Sequence, residues 1–287
     1  MTPNEEPMRW KSSGRELVGV LHHAASERAR AAVVVVHPFA EEKKFSHRVL
    51  VNLARELARR DVATLRFDLS GCGDSSGDTG EARLVHWQQD IASACAEIKR
   101  RTDAPQVIAG LRLGAALALA HAAALTPHPA LVLWEPVTDG AKYIDDILRR
   151  RMIKEMMTTG KRATGRKAVL AQLEAAGYLD LDGIAVGKAL IEDISSLDVR
   201  ALANAFTGEA FCVQIAFNAE VSAALDALAA AMRGAGADVE TIGVREQVIW
   251  DRVELVAATD LIRMTADWIV EGFPLSSVGP DPSGREG

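Results

Sequence analysis

Residues 107–120 read VIAGLRLGAALALA. This stretch predicts a short apolar strand, a Gly-x-Arg-x-Gly turn and an alanine-rich helix. A strand–turn–helix of this form usually displays a nucleophilic serine at its centre, in the pattern Gly-x-Ser-x-Gly. Here the central residue is Arg112, whose guanidinium stays protonated near neutral pH and cannot attack a carbonyl. The stretch therefore predicts the architecture of a nucleophile turn without the nucleophile.

Strand-like and helical runs alternate on both sides of this turn, which favours a mostly parallel sheet with helices on both faces. An early strand at 15–24 is expected to pair antiparallel with the segment around residues 8–10. Further strands are predicted at 29–39, 62–69, 130–137, 209–217 and 238–250, and helices at 46–60, 82–101, 221–236 and 258–273. With the strand before Arg112, these make eight strands in one sheet.

A charged, helix-forming segment interrupts this alternation between residues 138 and 207. We interpret it as a helical cap inserted between two parts of the core, residues 1–137 and 208–273. The last residues, 274–287, are rich in Pro, Gly and Ser and are predicted to be disordered.

Composition excludes several classes of protein. The chain has 287 residues, of which 48% are hydrophobic, enough for a sizeable core. Its net charge of −6 argues against a nucleic-acid partner, which requires clustered positive charge. No apolar run approaches the roughly 18 residues of a membrane span, and the start does not resemble a signal peptide. The three cysteines indicate neither a zinc site nor a disulfide framework, so we expect a cytoplasmic protein without metal or cofactor.

Four motifs connect the chain to a known family: HPFAEEKKFSHR (37–48), FDLSGCGDSSGD (67–78), GLRLGA (110–115) and LWEPVTDG (133–140). With the order of elements, they make the chain resemble the α/β-hydrolase superfamily, and in particular the subfamily called exosortase A system-associated hydrolase 2. The motifs cover residues from about 30 to 150. The resemblance implies the α/β-hydrolase fold and a hydrolase-related protein of a surface-polysaccharide or protein-export gene system.

Hydrolases of this fold use a serine, an acid and a histidine, in that order along the chain. Arg112 occupies the serine position. The acid position offers Asn218 and Glu220, and the histidine position offers Trp250 and Asp251. No histidine follows residue 128, and the seven histidines are at 22, 23, 37, 47, 86, 121 and 128. Hydrolysis through a standard triad is therefore not expected, and only a non-standard order with His37 or His47 as base would permit it.

The position of Arg112 at the start of a helix leaves two interpretations. Free backbone N–H groups and the helix dipole favour an anion there, so the guanidinium could anchor a carboxylate or phosphate of a ligand. Alternatively, it forms an ion pair inside the protein with Glu41, Glu42 or Glu135, because an unpaired buried guanidinium is costly.

Further candidate site residues come from the same end of the sheet. Glu41, Glu42 or His37 could transfer a proton, and the backbone N–H groups of Phe39 and Leu113 could polarise a carbonyl. Trp134 and Trp250 could line a pocket. Each residue also has a structural interpretation: the glutamates as helix caps or as partners of neighbouring lysines, His37 as a hydrogen-bonded strand end, and the tryptophans as core.

The glycine-rich loop 70–80 lacks the Gly-Lys-Ser/Thr ending of a phosphate-binding loop, so its glycines more simply allow a tight turn. It contains Cys72, the one thiol positioned as an alternative nucleophile, and Ser75 and Ser76. Asp68 is expected to fix this loop.

Three functions fit these observations. The first is an enzyme that uses non-serine chemistry on a small acyl or carboxylate-bearing substrate. The second is a catalytically inactive pseudo-hydrolase that binds a ligand or acts as a scaffold. The third is a thiol hydrolase that acts through Cys72. The oligomeric state is left open, with a homodimer as one alternative.

Overall fold

The computed structural model describes residues 5–159, 165–251 and 256–275. The strands in these ranges are β1 (Glu5–Ser12), β2 (Arg15–His22), β3 (Ala31–Val36), β4 (Val62–Phe67), β5 (Gln106–Leu111), β6 (Ala130–Trp134), β7 (Tyr178–Leu181), β8 (Ile184–Gly187), β9 (Glu209–Ala216) and β10 (Asp238–Arg245). The helices are α1 (Glu41–Arg59), α2 (Leu84–Lys99), α3 (Leu113–Ala123), α4 (Gly140–Thr159), α5 (Arg166–Ala176), α6 (Lys188–Ser195), α7 (Val199–Ala205), α8 (Ala223–Gly234) and α9 (Thr259–Gly272).

Eight of the strands form one sheet in the order β1-β2-β4-β3-β5-β6-β9-β10. The pairs β1–β2 and β2–β4 are antiparallel, and every other pair in this sheet is parallel. This confirms the predicted mainly parallel, eight-stranded sheet and the early antiparallel strand.

The sheet separates two hydrophobic cores. Side chains alternate between the faces of a strand, so Val34 and Val36 of β3 pack on one side and Val33 and Val35 on the other. The first core contains residues of α2, α3 and α8, and the second contains residues of α1 and α9. Because both faces are covered, the central strands read as uninterrupted apolar runs rather than as alternating ones.

Two element boundaries differ from the prediction in ways that matter for the site. Helix α1 begins at Glu41 rather than near residue 46, directly after a turn at Ala40. Glu41 and Glu42 therefore occupy its first turn, where the helix dipole favours acidic side chains. Strand β10 ends at Arg245 rather than at 250, and the following loop brings Trp250 back to the end of the sheet.

The segment between β6 and β9 contains helices α4 to α7 and the antiparallel hairpin β7–β8; we call residues 140–205 the cap. Only helices were predicted here, so the hairpin differs from the prediction, although its Asp182-Gly183 turn is a strong hairpin signal. Arg83 of the core donates two hydrogen bonds, of 2.7 and 2.8 Å, to Asp193 of the cap. Of the segment predicted to be disordered, residues 276–287 lie outside the described residues. None of the helices in the described ranges has the length and apolar character needed to cross a membrane.

Candidate functional site

The turn between β5 and α3 keeps the backbone of a nucleophile elbow. Arg112 has φ 56° and ψ −121°, and its N–H donates to the carbonyl of Trp134 at 3.0 Å. A Cβ at Gly110 would lie 2.4 Å from the Gly114 carbonyl oxygen, and a Cβ at Gly114 would lie 2.4 Å from that of Val36. Glycine is therefore required on both sides of Arg112, which holds the sharp turn even though no nucleophile is displayed.

Backbone strain gathers at the carboxyl ends of three neighbouring strands. Ala40 after β3, Arg112 after β5 and Glu135 after β6 all have left-handed backbones, with φ of 51°, 56° and 45°. Such a conformation costs about 1–3 kcal/mol for a residue other than glycine and clusters at functional sites. This edge of the sheet is therefore the candidate site.

The guanidinium of Arg112 lies between two aromatic rings. Its Cζ is 4.8 Å from the ring centre of Trp250 and 5.5 Å from that of Tyr143. Its Nε is 3.6 Å from Oε1 of Glu42, close enough for an ion pair but too far for a hydrogen bond. The buried Nε has no hydrogen-bond partner in the described part of the chain. Cation–π contacts and one carboxylate thus compensate the charge.

Glu42 joins this guanidinium to the cap. Its side chain is 6% exposed. Its Oε2 accepts a hydrogen bond from the Tyr143 hydroxyl at 2.8 Å, and its Oε1 accepts one from Arg150 at 3.2 Å. Burial and the adjacent carboxylate raise the pKa of Tyr143 well above its usual range. We call Arg112, Glu42, Tyr143, Arg150 and Trp250 the Arg112 network. Within it, Arg112 pairs with an internal carboxylate, and Glu42 has donors on both oxygens and is poorly placed to accept a substrate proton.

A cleft of about 590 Å³ lies beside this network, between α1, the cap and the loop that carries Trp250. Its apolar wall consists of Phe39, Phe45, Ile147, Leu181 and Trp250. Its charged groups are Glu41, Glu42, Arg150, Arg151, Lys154, Asp182 and Asp251. Arg112 itself lines a separate, more polar cleft on the side of Glu135 and Gln214.

Glu41 and Asp182 are two cleft carboxyl groups whose pKa values shift in opposite directions. Burial and a hydrogen bond to Asp182 raise the pKa of Glu41. Burial also pushes the pKa of Asp182 upwards, but hydrogen bonds from Lys154 and Glu41 outweigh it and lower that pKa. Lys154 Nζ lies 3.1 Å from Glu41 and 2.5 Å from Asp182. Of these two carboxyl groups, Glu41 is therefore the one that takes up a proton first as the pH falls.

His37 is held by the backbone at both ring nitrogens, and its role as a base stays a prediction. Its Nδ1 donates to the carbonyl of Pro38 at 2.7 Å, and its Nε2 accepts the N–H of Leu69 at 3.2 Å. Burial, followed by the charge of Lys43, lowers its pKa to about 4. Both ring nitrogens are occupied, so no lone pair faces the cleft.

Trp134 also differs from its predicted role. It is 1% exposed, and its indole N–H donates to the hydroxyl of Thr265 on α9 at 2.9 Å. It packs in the core on the α9 side of the sheet and lines no part of the cleft. Its place at the end of β6 suggested a pocket, but the side chains at the end of a strand still alternate between faces.

Phe39 and Leu113 follow the neighbouring strands β3 and β5, as expected for a pair of polarising N–H groups. The Phe39 ring lines the cleft and lies 5.9 Å from the Trp87 ring. Leu113 is the first residue of α3, where a backbone N–H has no carbonyl partner within the helix. Their role in polarising a carbonyl stays a prediction.

The alternative nucleophiles of the glycine-rich loop are held in structural contacts. Burial raises the pKa of Cys72 to about 12, which suppresses its thiolate. Ser75 accepts the N–H of Val18 at 2.9 Å, and Ser76 accepts that of Glu16 at 2.7 Å. Both hydroxyls therefore fasten this loop to β2.

Tyr143 and Asp182 were not among the predicted site residues. Tyr143 lies in a helix whose register against the core was not known in advance. Asp182 lies in the unrecognised hairpin, where the Asp-Gly turn was the available signal. Among the residues that the structure describes, no group of three or more His, Cys, Asp and Glu side chains is arranged to hold a metal ion.

Comparison with known proteins gives matches in both sequence and structure. A family model described as "Serine aminopeptidase, S33" matches residues 27–181. The mitochondrial palmitoyl-protein thioesterase ABHD10 of Homo sapiens is 38% identical over 71 residues, which are 25% of this chain and 22% of that protein. The Rattus norvegicus protein is 35% identical over 101 residues, 34% of this chain and 33% of that protein. The chain thus spans a third or less of the length of these curated relatives.

Solved structures are similar over nearly the whole chain. Est1E from Butyrivibrio proteoclasticus with bound ferulic acid has a TM-score of 0.63 at 18% identity, and the match covers 92% of this chain and 97% of that one. DcsB in complex with its substrate analogue has a TM-score of 0.66 at 11% identity, covering 95% and 100%. Mouse alpha/beta hydrolase domain-containing protein 10 has a TM-score of 0.59 at 16% identity, covering 93% and 99%. These matches confirm the α/β-hydrolase fold, while the narrower exosortase-associated resemblance stays a prediction.

Proposed function

The chain belongs to the serine aminopeptidase S33 family, and we propose that it binds a small carboxylate-bearing acyl ligand without hydrolysing it through a serine. The Arg112 network is the observation that carries this proposal. In it, the residue at the elbow is a cation, stacked on Trp250 and neutralised by a carboxylate. A nucleophile needs a partner that removes its proton, and none of the seven histidines lines the cleft.

The lining of the cleft supports an acyl ligand with an acidic head. Phe39, Phe45 and Leu181 provide an apolar surface for a hydrocarbon chain. Arg150 and Arg151 border the same cleft, and Nη1 of Arg151 is buried with no hydrogen-bond partner in the described residues. An unmade hydrogen bond at a buried cation is costly, and a ligand carboxylate would make it.

Titration calorimetry with medium-chain carboxylic acids and the alcohols of equal length tests the ligand class. We expect saturable binding of the acids only, because the alcohols cannot pair with a guanidinium. The variant Arg151→Gln should weaken acid binding about tenfold, the size expected for one charge-assisted hydrogen bond. Arg149→Gln is the matched control, because Arg149 is exposed, pairs with Asp146 and does not line the cleft. Equal binding of acids and alcohols, or unchanged binding in Arg151→Gln, would contradict the proposal.

A fluorophosphonate probe and a panel of activated esters test the absence of serine chemistry. We expect neither labelling nor turnover by the wild-type chain. Labelling that disappears in Ser75→Ala or Ser76→Ala would show that a loop serine acts after all.

A second candidate function is an enzyme in which Glu41 donates a proton to a bound acyl substrate. The raised pKa of Glu41 beside Asp182 and Lys154 favours it, since a raised pKa is typical of a general acid. Turnover that persists after fluorophosphonate treatment, is lost in Glu41→Gln and falls as pH rises through the pKa of Glu41 would establish this enzyme. If none of the tested substrates is turned over, this second candidate function is excluded for those substrates.

A further inference from the structure

A second cavity, of about 720 Å³, lies beside α1 between this helix and strands β2 and β4. Its polar side chains come from α1 and from the end of β4. Lys43, His47 and Arg66 are the basic groups that line it, with Asp68 and Asp74 as the acidic ones. The ring of His37 also borders it, but both of its nitrogens are occupied by the backbone.

Arg66 is a positive charge of this cavity that has no carboxylate as a close partner in the described part of the chain. Its Nε donates to Nε2 of His22 at 3.0 Å. No carboxylate of the described residues lies within 4.0 Å of its guanidinium. Two carboxylates are near enough to influence it, but each is held by another cation: Glu5 by Arg55 at 2.7 Å and Asp68 by Lys43 at 2.6 Å. Burial lowers the pKa of Arg66 more than these two acids raise it.

His47, which lies on α1, also has more positive than negative charge around it. Burial and then the charges of Arg66 and Lys43 lower its pKa, against a weaker opposing effect of Asp68. A histidine disfavoured as a cation by two neighbouring cations becomes a good proton acceptor when an anion enters between them.

We propose that this cavity is a binding site for a tetrahedral dianion, such as the phosphate group of a small molecule. Arg66 would offer its two amino groups as a fork, and His47 would take up a proton as the ligand binds. Lys43 keeps its partner Asp68, so Arg66 and protonated His47 are the two cations left to face the dianion, and the carboxylate of Asp74 also borders the cavity. The site is separate from the acyl cleft, which borders α1 at Glu41, Glu42 and Phe45.

Titration calorimetry with sodium sulfate tests this site, because sulfate keeps its charge of −2 over the pH range used. Sodium chloride holds the ionic strength constant, and measurements at pH 6.2 and 8.0 stay above the sequence pI of about 5.7. We expect saturable binding that is about threefold tighter at pH 6.2, since binding is linked to protonation of His47.

Two variants and a control distinguish sulfate binding in this cavity from a general effect of salt on the protein. Arg66→Gln should weaken sulfate binding at least about tenfold at both pH values. His47→Gln should keep sulfate binding at pH 8.0 and lose its pH dependence. Arg48→Gln, the exposed neighbour of His47 outside the cavity, should bind like the wild type. Absence of saturable binding, undiminished binding in Arg66→Gln, or an unchanged pH dependence in His47→Gln would each overturn the proposal.

Discussion

Arg112 shows how one residue changes the chemistry of a site while leaving its backbone intact. The turn that positions it depends on Gly110 and Gly114, and these constraints do not involve the side chain at the centre. A guanidinium at this place needs a negative charge nearby and aromatic rings on which it can stack. Glu42 provides the charge, and Trp250 and Tyr143 provide the rings.

Replacing Arg112 with methionine should lower the free energy of unfolding by about 2–4 kcal/mol, because it removes one partner of the buried Glu42. Urea unfolding measures this change. The double variant Arg112→Met/Glu42→Gln should recover part of the loss, since the uncompensated carboxylate is then gone. Arg149→Met, at an exposed ion pair, is the control and should change stability by less than about 0.5 kcal/mol. A single variant as stable as the wild type would contradict an internal ion pair.

A serine introduced at position 112 should not produce hydrolase activity. In Arg112→Ser the hydroxyl would have no imidazole to activate it, because His37 uses both ring nitrogens, His47 lines the second cavity and not the cleft, and no histidine follows residue 128. We expect ester turnover within about tenfold of the wild-type background. Stoichiometric fluorophosphonate labelling of the introduced serine would show that an activating base was overlooked.

At the scale of elements, the start of α3 packs tightly against the end of β3. Gly114 lies in the first turn of α3, directly over the last residues of that strand, so the helix can begin at Leu113 only if residue 114 has no side chain. The elbow therefore depends on contact between two elements that are distant in sequence.

Gly114→Ala should destabilise the protein by at least about 3 kcal/mol, since the added methyl group would meet backbone oxygens at 2.4 and 2.5 Å that cannot move independently. Thermal unfolding or the yield of soluble protein reports it. Gly234→Ala is the matched control: it lies in α8 with open space around it and should be neutral or stabilising by up to about 1 kcal/mol. Equal effects of the two changes would contradict this account of the turn.

Helices and strands could be predicted from the sequence where a single pattern of side chains was clear. β-branched runs gave the strands of the sheet, and helical spacing gave most of the helices. The start of α1 was missed because the left-handed residue before it is Ala40, which carries no sequence signal for a turn. Which acid meets Arg112 was also open, because Glu41 and Glu42 point about 100° apart on the helix and only tertiary packing selects one.

At the scale of the whole molecule, stability should depend on pH through buried histidines. Burial, with Arg66 beside His22 and Lys43 beside His37, lowers the pKa of both histidines to about 4, from an ordinary value of 6.5. Between these values the unfolded chain binds protons that the folded chain does not. Stability is therefore full above pH 6.5 and is lost as the pH falls towards 4.

Urea unfolding at pH 7.5 and 6.0 should show a loss of about 0.8 kcal/mol for each of these two histidines. His47 and His121, whose pKa values burial also lowers, act in the same direction. In His22→Asn the difference between the free energies of unfolding at pH 7.5 and 6.0 should become smaller, whether or not the variant is less stable overall. A wild-type stability that rises between pH 7.5 and 6.0 would contradict the assignment.

The contacts of Glu42 with Tyr143 and Arg150 would also constrain how the proposed acyl ligand enters and leaves the cleft. A cap that moved away would have to break the hydrogen bonds of Tyr143 and Arg150 to the buried Glu42 and leave that carboxylate with Arg112 as its remaining ion-pair partner. Entry and exit are then confined to the existing mouth of the cleft, and molecules too broad for that opening are rejected by size before any affinity is tested.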